Sequence, residues 1–459
     1  MLGFGTSQAL RLGSNLLLTR MLPREAFGVM LLVQVVLQGL ERFSDLGVGT
    51  AIIQNPRDDR RFLNTAWTLQ SIRGAILGLC AGGLAWPAAT FFQQPALLAL
   101  IPFAGLSAVF AGLQSTKFHT ANRKLMVGRV TLVNLAAQVT GIGVTFAWAV
   151  TSPTAWALAA GGVATALATF VFSYVMIPGP GNGWTWDRTS AAIVMNFGKW
   201  VFVSTLLSFF AMQSDRIVFG RLFDAATLGV YAIATLIADA PQQLLRRMAL
   251  RVEFPLYSQT LRDGRDLAPV FQRSRRRILI LGGAVCALLV AGGPALVGML
   301  YADAYAGAGW MVQIMAIGTW FNTLTVTLEA VMLAQSRPRV VAGSNLVKVA
   351  AMLVAMLLGH ALGGFEAALV GLALSEVVRY VYLRAVARSG GCGGLRQELV
   401  YTAFLAGAVA IAMLVLASAE ALALPLVVRV MMLGAVVAAL WLPVALPRLR
   451  STALLRGRR

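Results

Sequence analysis

The sequence is poor in the side chains that carry most protein chemistry. Two of its 459 residues are histidine, His119 and His360, and three are cysteine, Cys80, Cys286 and Cys392. The cysteines are far apart and form no CxxC, which excludes a disulfide framework and a Cys/His metal centre. P-loop, HExxH and GxSxG patterns are missing, so chemistry driven by ATP hydrolysis, zinc hydrolysis or an activated serine is not expected. The expectation is a protein that is not an enzyme and holds neither cofactor nor metal. Charge is scarce too: 12% of residues are Asp, Glu, Lys or Arg, against about 25% in soluble domains. Such a chain lacks the polar groups to cover a soluble surface.

Apolar length is what the chain has in abundance. Hydrophobic residues make up 58% of it and fall in long runs rather than in alternation. About 20 apolar residues in a helix cross a bilayer. On that measure about fourteen spans are predicted, at 2–19, 27–53, 65–92, 96–116, 127–150, 153–177, 191–214, 226–246, 278–300, 309–333, 340–361, 364–387, 399–419 and 424–446. The joints hold breakers: Asn55-Pro56, Gln94-Pro95, Ser152-Pro153, Pro178-Gly179-Pro180-Gly181 and Arg337-Pro338. None is long enough for a soluble domain, and the longest polar stretch is 247–277. The GGCGG run at 390–394 reads as a flexible joint. The first run begins almost at Met1, shows no cleavable-signal pattern and reads as a retained helix.

The formal net charge of +20 sorts by joint. Even joints carry Arg57, Arg60 and Arg61; Lys117, Arg123, Lys124 and Arg129; Arg188; a run of arginines from Arg246 to Arg277; Arg337 and Arg339; then Arg384, Arg388 and Arg396. The tail adds Arg448 through Arg459. Odd joints carry only Arg20, Arg24 and Arg221. Positive charge is retained on the cytoplasmic side of membranes, so both termini are expected there, and the basicity needs no nucleic-acid partner. Trp86, Trp148, Trp156 and Trp310 fall near the opposite ends, as an interfacial aromatic belt would.

RMLPREAFGV from Arg20 aligns with RLFDAATLGV from Arg221, and Ala121-Asn122-Arg123-Lys124 with Ala334-Gln335-Ser336-Arg337. Six helices separate the copies, so both enter the membrane in the same sense, as parallel repeats do. The expected fold is an all-α polytopic membrane protein with an N-terminal six-helix lobe at 1–177, a cytoplasmic linker at 178–190 and a C-terminal six-helix lobe at 191–388. Two extra helices at 399–447 and a basic tail at 448–459 follow.

Polar groups are costly in hydrocarbon, so their placement is informative. Single stripes run along four spans: Ser7, Gln8, Arg11, Ser14 and Asn15; Gln34, Gln38, Glu41, Arg42 and Asp45; Thr131, Asn134, Gln138, Gly141 and Thr145; Tyr231, Thr235, Asp239, Gln242 and Arg246. Such faces turn away from lipid and imply a shared hydrated cavity. Arg73, Lys199 and Lys348 lie roughly 12 Å inside the cytoplasmic ends of their spans at about 1.5 Å per residue, with Arg11 and Arg42 nearer mid-depth. These five are candidates for a cationic pocket that takes a phosphate or pyrophosphate headgroup; the alternative is ion pairs within the lobes, with Glu41, Asp45 and Asp239 as partners. Asp45, Asp239 and Glu329 are candidate carboxylates for H⁺ or Na⁺ coupling, or partners of those cations. Glu376 and Arg379, at i and i+3, read as a local ion pair. Gly78 and Gly82 read as a small-residue packing pair, and Pro102, Pro241 and Pro294 as bends within spans.

LLLTRMLPREAFGVMLLV followed by FSDLGVGTAIIQ resembles the start of bacterial polysaccharide flippases of the multidrug/oligosaccharidyl-lipid/polysaccharide exporter superfamily. FLNTAWTLQSIRG, FGKWVFVSTLL, QSDRIVFGRLF, LGVYAIA and FPLYSQ continue the likeness in order to about Gln259; beyond it the likeness is one of helix pattern. The resemblance implies a MATE-like fold with alternating access, in the bacterial inner membrane. It implies an undecaprenyl-pyrophosphate-linked oligosaccharide as cargo, for exopolysaccharide, capsule or O-antigen synthesis. Membrane lipids and polysaccharide polymerase and export machinery are the implied partners. Asp45 and Asp215 are carried over as family-motif residues without assigned roles. The family usually has more residues ahead of its first helix. Two rival readings remain: a drug/cation antiporter of the same superfamily, which would favour acidic cavity residues, and a membrane oligosaccharide polymerase or ligase, which would need a larger outward loop.

Overall fold

The computed structural model describes residues 2–44, 48–54, 59–388 and 394–456, without the side chains of 2–4, 50–51, 54, 193–194, 196–208, 388 and 445–456. Asp45, most of the GGCGG run and the Lys199 side chain therefore lie outside the described residues.

Helices make up most of the described residues. In order come α1 (Leu2–Met21), α2 (Arg24–Phe43), α3 (Val48–Gln54), α4 (Arg60–Phe92), α5 (Leu97–Leu113), α6 (Lys117–Arg123), α7 (Val127–Thr151), α8 (Ala155–Val175), α9 (Arg188–Leu222) and α10 (Ala225–Met248). A π-helical turn (Ala249–Glu253) leads into α11 (Phe254–Arg262), α12 (Leu267–Leu300), α13 (Ala308–Ala334), α14 (Pro338–Arg388), α15 (Leu395–Ala421) and α16 (Leu426–Arg456). Among the described residues nine helices are long and apolar enough to cross a bilayer, and α5, bent by 60° against α6, makes a tenth. One of the nine, α14, is two passes: Gly363 and Gly364 leave helical geometry, Gly364 at φ 65°, a left-handed position that glycine adopts without strain. The remaining expected spans fall on α1, α9 and α10. Leu79 (78% exposed), Val175 (76%) and Leu414 (68%) show the outward apolar surface that lipid covers.

Local chemistry sets the ends. Asp59, Asp187 and Asp266 accept from the backbone N–H of Phe62, Ser190 and Ala268 at 3.1, 2.8 and 3.0 Å, capping α4, α9 and α12. The expected span 27–53 is one correction: α2 stops at Phe43 and a separate α3 follows. At that end the Ser44 hydroxyl donates to the carbonyls of Leu40 and Glu41, and Arg73 from α4 donates to Glu41 as well.

By packing the chain forms two units, Met1–Gly229 and Val230–Arg459. In the first, α4 packs on α5, α7 on α8, and α9 on α2 and α4. The sequence reading assigned 191–222 to the second lobe; by these contacts α9 lies with the first unit. In the second, α12, α13 and α14 pack in succession, and α15 and α16 dock on α12. Helices meet through small residues, as they do in lipid, where apolar burial gives little drive between helices. A Cβ on Gly74 would lie 2.7 Å from the Gly112 Cα, and one on Gly112 equally close to Gly74. Gly82 has nothing within 4 Å, so the close-packing pair in α4 is Gly74 and Gly78, not Gly78 and Gly82. The repeated segments meet reciprocally: a Cβ on Gly28 would lie 1.9 Å from the Ala225 carbonyl, and one on Gly229 1.8 Å from that of Arg24. Each glycine touches the residue that the alignment makes equivalent to the other's neighbour.

Candidate functional site

In the first unit the polar stripes find one another. The Ser7 hydroxyl on α1 donates to Gln138 on α7 at 2.6 Å, and the Gln138 amide donates back to the Ser7 carbonyl at 3.0 Å. Gln213 on α9 donates to Gln38 on α2 at 2.6 Å and accepts from Arg216 at 3.1 Å. Asp215 sits half-buried beside them on α9. Arg73, also half-buried, donates from Nε to the Ser44 hydroxyl at 3.0 Å and from Nη2 to the Glu41 carbonyl at 2.8 Å. Its charge thus faces the C-terminal end of α2, where the helix dipole favours a cation. Glu41 and Arg42 are exposed on the same last turn. Arg11 is exposed on α1, next to the Ser14 hydroxyl that donates to its backbone carbonyl at 3.1 Å.

The second unit gathers charge. On α13 and the two halves of α14, Lys348 pairs with Glu376, and Arg379 pairs with Glu329 and, at 3.8 Å, with Glu376. Asn322 donates to Glu376 at 3.3 Å, and Arg379 to the Asn345 side chain at 2.6 Å. Two cations and two carboxylates balance inside the bundle, each hydrogen-bonded as well as paired, which offsets the cost of removing them from water. Lys348, read from the sequence as a pocket cation or an ion-pair partner, is held by Glu376 rather than by Glu41, Asp45 or Asp239. Glu329 is held by Arg379, so an exchangeable proton there requires that pair to open. The i, i+3 contact between Glu376 and Arg379 is present. Asp239 sits half-buried on α10.

A second cluster was not singled out in the sequence. Arg275 on α12, fully buried, donates to the Thr327 hydroxyl at 2.7 Å and the Leu324 carbonyl at 3.2 Å, and pairs with Glu398 at the start of α15. Glu398 also takes Arg384 at 3.3 Å and the Tyr380 hydroxyl. Beside it Arg276 donates to the Tyr401 hydroxyl at 3.0 Å. In the sequence Arg275 is one arginine in a basic stretch; the available signal was Glu398, an acid placed where positive charge dominates. Among the described residues no three His, Cys, Asp or Glu side chains come together as a metal site would need.

The expected linker is strapped to the first unit. The backbone N–H groups of Gly183, Thr185 and Asp187 donate to the side chains of Asn64, Thr68 and Thr65 at 3.2, 3.1 and 3.1 Å, and Trp184 packs edge-on against Trp67.

Residues 17–310 match the family model described as "Polysaccharide biosynthesis protein". The chain is 21% identical over 275 residues to the amylovoran biosynthesis protein AmsL of Erwinia amylovora, covering 58% of this chain and 69% of that protein. It is 20% identical over 306 residues to the teichuronic acid biosynthesis protein TuaB of Bacillus subtilis, covering 64% of this chain and 61% of that protein. Among solved structures, the lipid II flippase MurJ in an inward closed conformation superposes with a TM-score of 0.75 at 10% identity over 98% of both chains. An inward-facing multidrug resistance MATE family transporter of the MOP superfamily superposes at 0.64 and 13% identity, over 83% of this chain and 95% of that one. At such identities the likeness to solved structures establishes the fold: two helical lobes followed by two further helices, in a multi-pass membrane protein.

Proposed function

Because this chain belongs to the polysaccharide biosynthesis protein family of the MOP exporter superfamily, we propose that it flips an undecaprenyl-pyrophosphate-linked oligosaccharide repeat unit from the inner to the outer leaflet of the bacterial inner membrane, by alternating access. The family match over residues 17–310 carries this reading. Both curated relatives are named for polysaccharide biosynthesis, and the fold is one used by a lipid II flippase. The chain relocates its cargo and leaves its covalent bonds intact, handing the repeat unit to polymerase and export machinery. Both termini face the cytoplasm, where the joint arginines collect.

Arg73, Lys199, Arg11 and Arg42 are the candidates to receive the pyrophosphate; Lys348 is a candidate of the second unit once its pair with Glu376 opens. Asp45, Asp239 and Glu329 are the candidates for ion coupling, and Asp215 is a family-motif residue of unassigned role. No nucleotide motif is present in the sequence, so the drive is an ion gradient, the membrane potential or removal of product. An inside-negative potential favours outward movement of an anion by about 2.3 kcal/mol per elementary charge at 100 mV. The fold is shared with a multidrug transporter, which keeps the drug/cation antiporter as the second reading.

The test is the double variant Arg73→Ala with Lys199→Ala at native expression. Surface polysaccharide should be lost while the protein stays in the membrane, with lipid-linked repeat units accumulating on the cytoplasmic side. Normal export by that variant would rule out cationic capture. Intact surface glycans and raised drug sensitivity in a clean deletion would favour the antiporter.

A further inference from the structure

Between α10 and α11 the helix does not continue regularly: Ala249–Glu253 form a π-helical turn. Such turns insert a residue into the α-helical ladder, and they are frequent at functional sites. The turn presents Glu253 inward, 2% exposed, in the stretch that joins two membrane spans. One carboxylate oxygen, Oε1, accepts from the Ser274 hydroxyl of α12 at 3.1 Å. The other, Oε2, is buried and lacks a partner in full hydrogen-bond geometry among the described residues, as does the hydroxyl of Tyr257, itself fully buried one turn along on α11 and acting on the same carboxylate. A buried carboxylate left with a bare oxygen is unfavourable, whereas a protonated one carries an O–H that a phenolic oxygen can accept.

Besides Tyr257, Arg275 and Glu329, the elements packed on the turn carry Arg262 on α11 and Arg273, Arg276 and Arg277 on α12. Tyr257 faces Glu253 from α11 and Arg275 from α12, each acting on its ionisation. On α13, which also packs against the turn, the one ionisable residue is Glu329, already held by Arg379. Arg251 on the turn itself is exposed. Arg275 is committed elsewhere: its three nitrogens are engaged by Thr327, Glu398 and the Leu324 carbonyl. Glu253 therefore has a cation nearby but not one at its disposal.

We propose that Glu253 is a proton-binding site that sets how firmly α15 is held to α12. With the proton on Oε2, the side chain is neutral, Arg275 belongs to Glu398, and the start of α15 is pinned. When the O–H bond breaks and the proton leaves to solvent, the carboxylate draws on Arg275, competing with Glu398. The anchor of α15 then loosens. The ligand is a proton from the compartment facing residues 247–277, the cytoplasm in the orientation proposed above; the site is independent of what the cargo is. Burial pushes the Glu253 carboxyl up to about 7, with Ser274, Tyr257 and Arg275 pulling the other way, so the exchange falls within the physiological range. A folded-state value above the ordinary 4.5 means that the folded chain holds the proton more tightly than the unfolded chain does. Stability is then greatest at low pH, falls as pH rises between about 4.5 and about 7, and is level above that.

The test uses the full-length protein in lipid nanodiscs, melted between pH 5 and 8.5 beside Glu253→Gln. The melting temperature of the wild type minus that of the variant should fall by about 3 °C up to neutrality and then stay level. A difference that does not change with pH would overturn the site. Hydrogen exchange of the wild type alone needs no variant to fold: corrected for intrinsic rates, amides at 395–402 should exchange several-fold faster at pH 8 than at pH 6. Equal protection at the two pH values would overturn the link to α15, whatever the melting curves give.

Discussion

The two units bury polarity in different ways. Among the described residues, the buried polar side chains of the first are uncharged, Thr65, Gln70, Ser115, Thr145, Gln213 and Ser214 among them. The second buries Glu253, Arg275, Glu329, Glu376, Arg379, Arg384 and Glu398. Hydroxyls can be satisfied by their own helix: Thr145 donates to the Gly141 carbonyl at 2.9 Å and Thr165 to that of Gly161 at 2.8 Å. Neither bond fixes a neighbouring helix. Apart from the i, i+3 contact of Glu376 with Arg379, the ion pairs among the buried charges of the second unit cross from one helical segment to another and pin the two together. Helices α7 and α8 can shift with their hydroxyl bonds intact, whereas α12 and α15 cannot part without separating Arg275 from Glu398.

The largest expected effect follows from that contrast. Glu398→Ala would leave Arg275 and Arg384 buried without their carboxylate, and removing one partner of a buried pair costs about 3–5 kcal/mol. Gln70 is the counterpart in the first unit, donating to the carbonyls of Ala111, Gly112 and Gln114 at 3.0, 3.2 and 3.3 Å around the end of α5. Gln70→Ala should cost about 1–3 kcal/mol, the desolvation of carbonyls left bare. Thermal unfolding in nanodiscs measures both, and equal costs would remove the distinction between the units.

A smaller effect sharpens it. If neutral helices rely on close backbone approach, glycine contacts should matter in the first unit even where no charge is near. Gly74→Ala would drive a Cβ into Gly112 and the Ala108 carbonyl, at 2.7 and 2.8 Å, and overpacking of this kind costs about 1–3 kcal/mol. Gly82→Ala, on the same helix with open space around it, should change stability by no more than about 0.5 kcal/mol. If the two substitutions behaved alike, small-residue packing would not be what joins α4 to α5.

How much of this could be read beforehand differs between the units for the same physical reason. Spans and breaks were legible because hydropathy and breaker residues are local: Ser152-Pro153, Arg337-Pro338 and the Arg20–Val29 repeat all declare themselves within a few residues. The polar stripes through Ser7, Gln38 and Gln138 were legible as well, since a stripe on an apolar helix must turn inward. Pairing was not. Arg275 meets Glu398 across 123 residues, and no periodicity reports on so distant a partner. Glu253 was hidden because a lone acid among arginines reads as solvated surface until the fold buries it. Lys348 was found by depth, yet depth alone does not distinguish a pocket cation from one sealed by Glu376.

The smallest effect concerns pH, and it runs in opposite directions in the two units. His119 lies on α6 in a joint, against α3, where a Cβ on Gly49 would come within 2.8 Å of its ring. Burial pushes its imidazole down to about 4 from an ordinary 6.5. The unfolded chain therefore takes up a proton at a pH where the folded chain does not. The first unit keeps its full stability above about 6.5 and loses it as pH falls towards 4. Glu253 acts oppositely, stabilising the second unit as pH falls from about 7. His119→Gln should remove the acid-side loss, raising the melting temperature at pH 5 relative to the wild type by about 2 °C while leaving the two equal at pH 8. Hydrogen exchange on the wild type can assign each slope to its unit: between pH 7 and pH 5 corrected exchange should quicken at 117–123 and slow at 395–402. A change of the same sign in both segments would mean that the titrating groups are shared, and the division into a neutral and a charged unit would no longer account for the response.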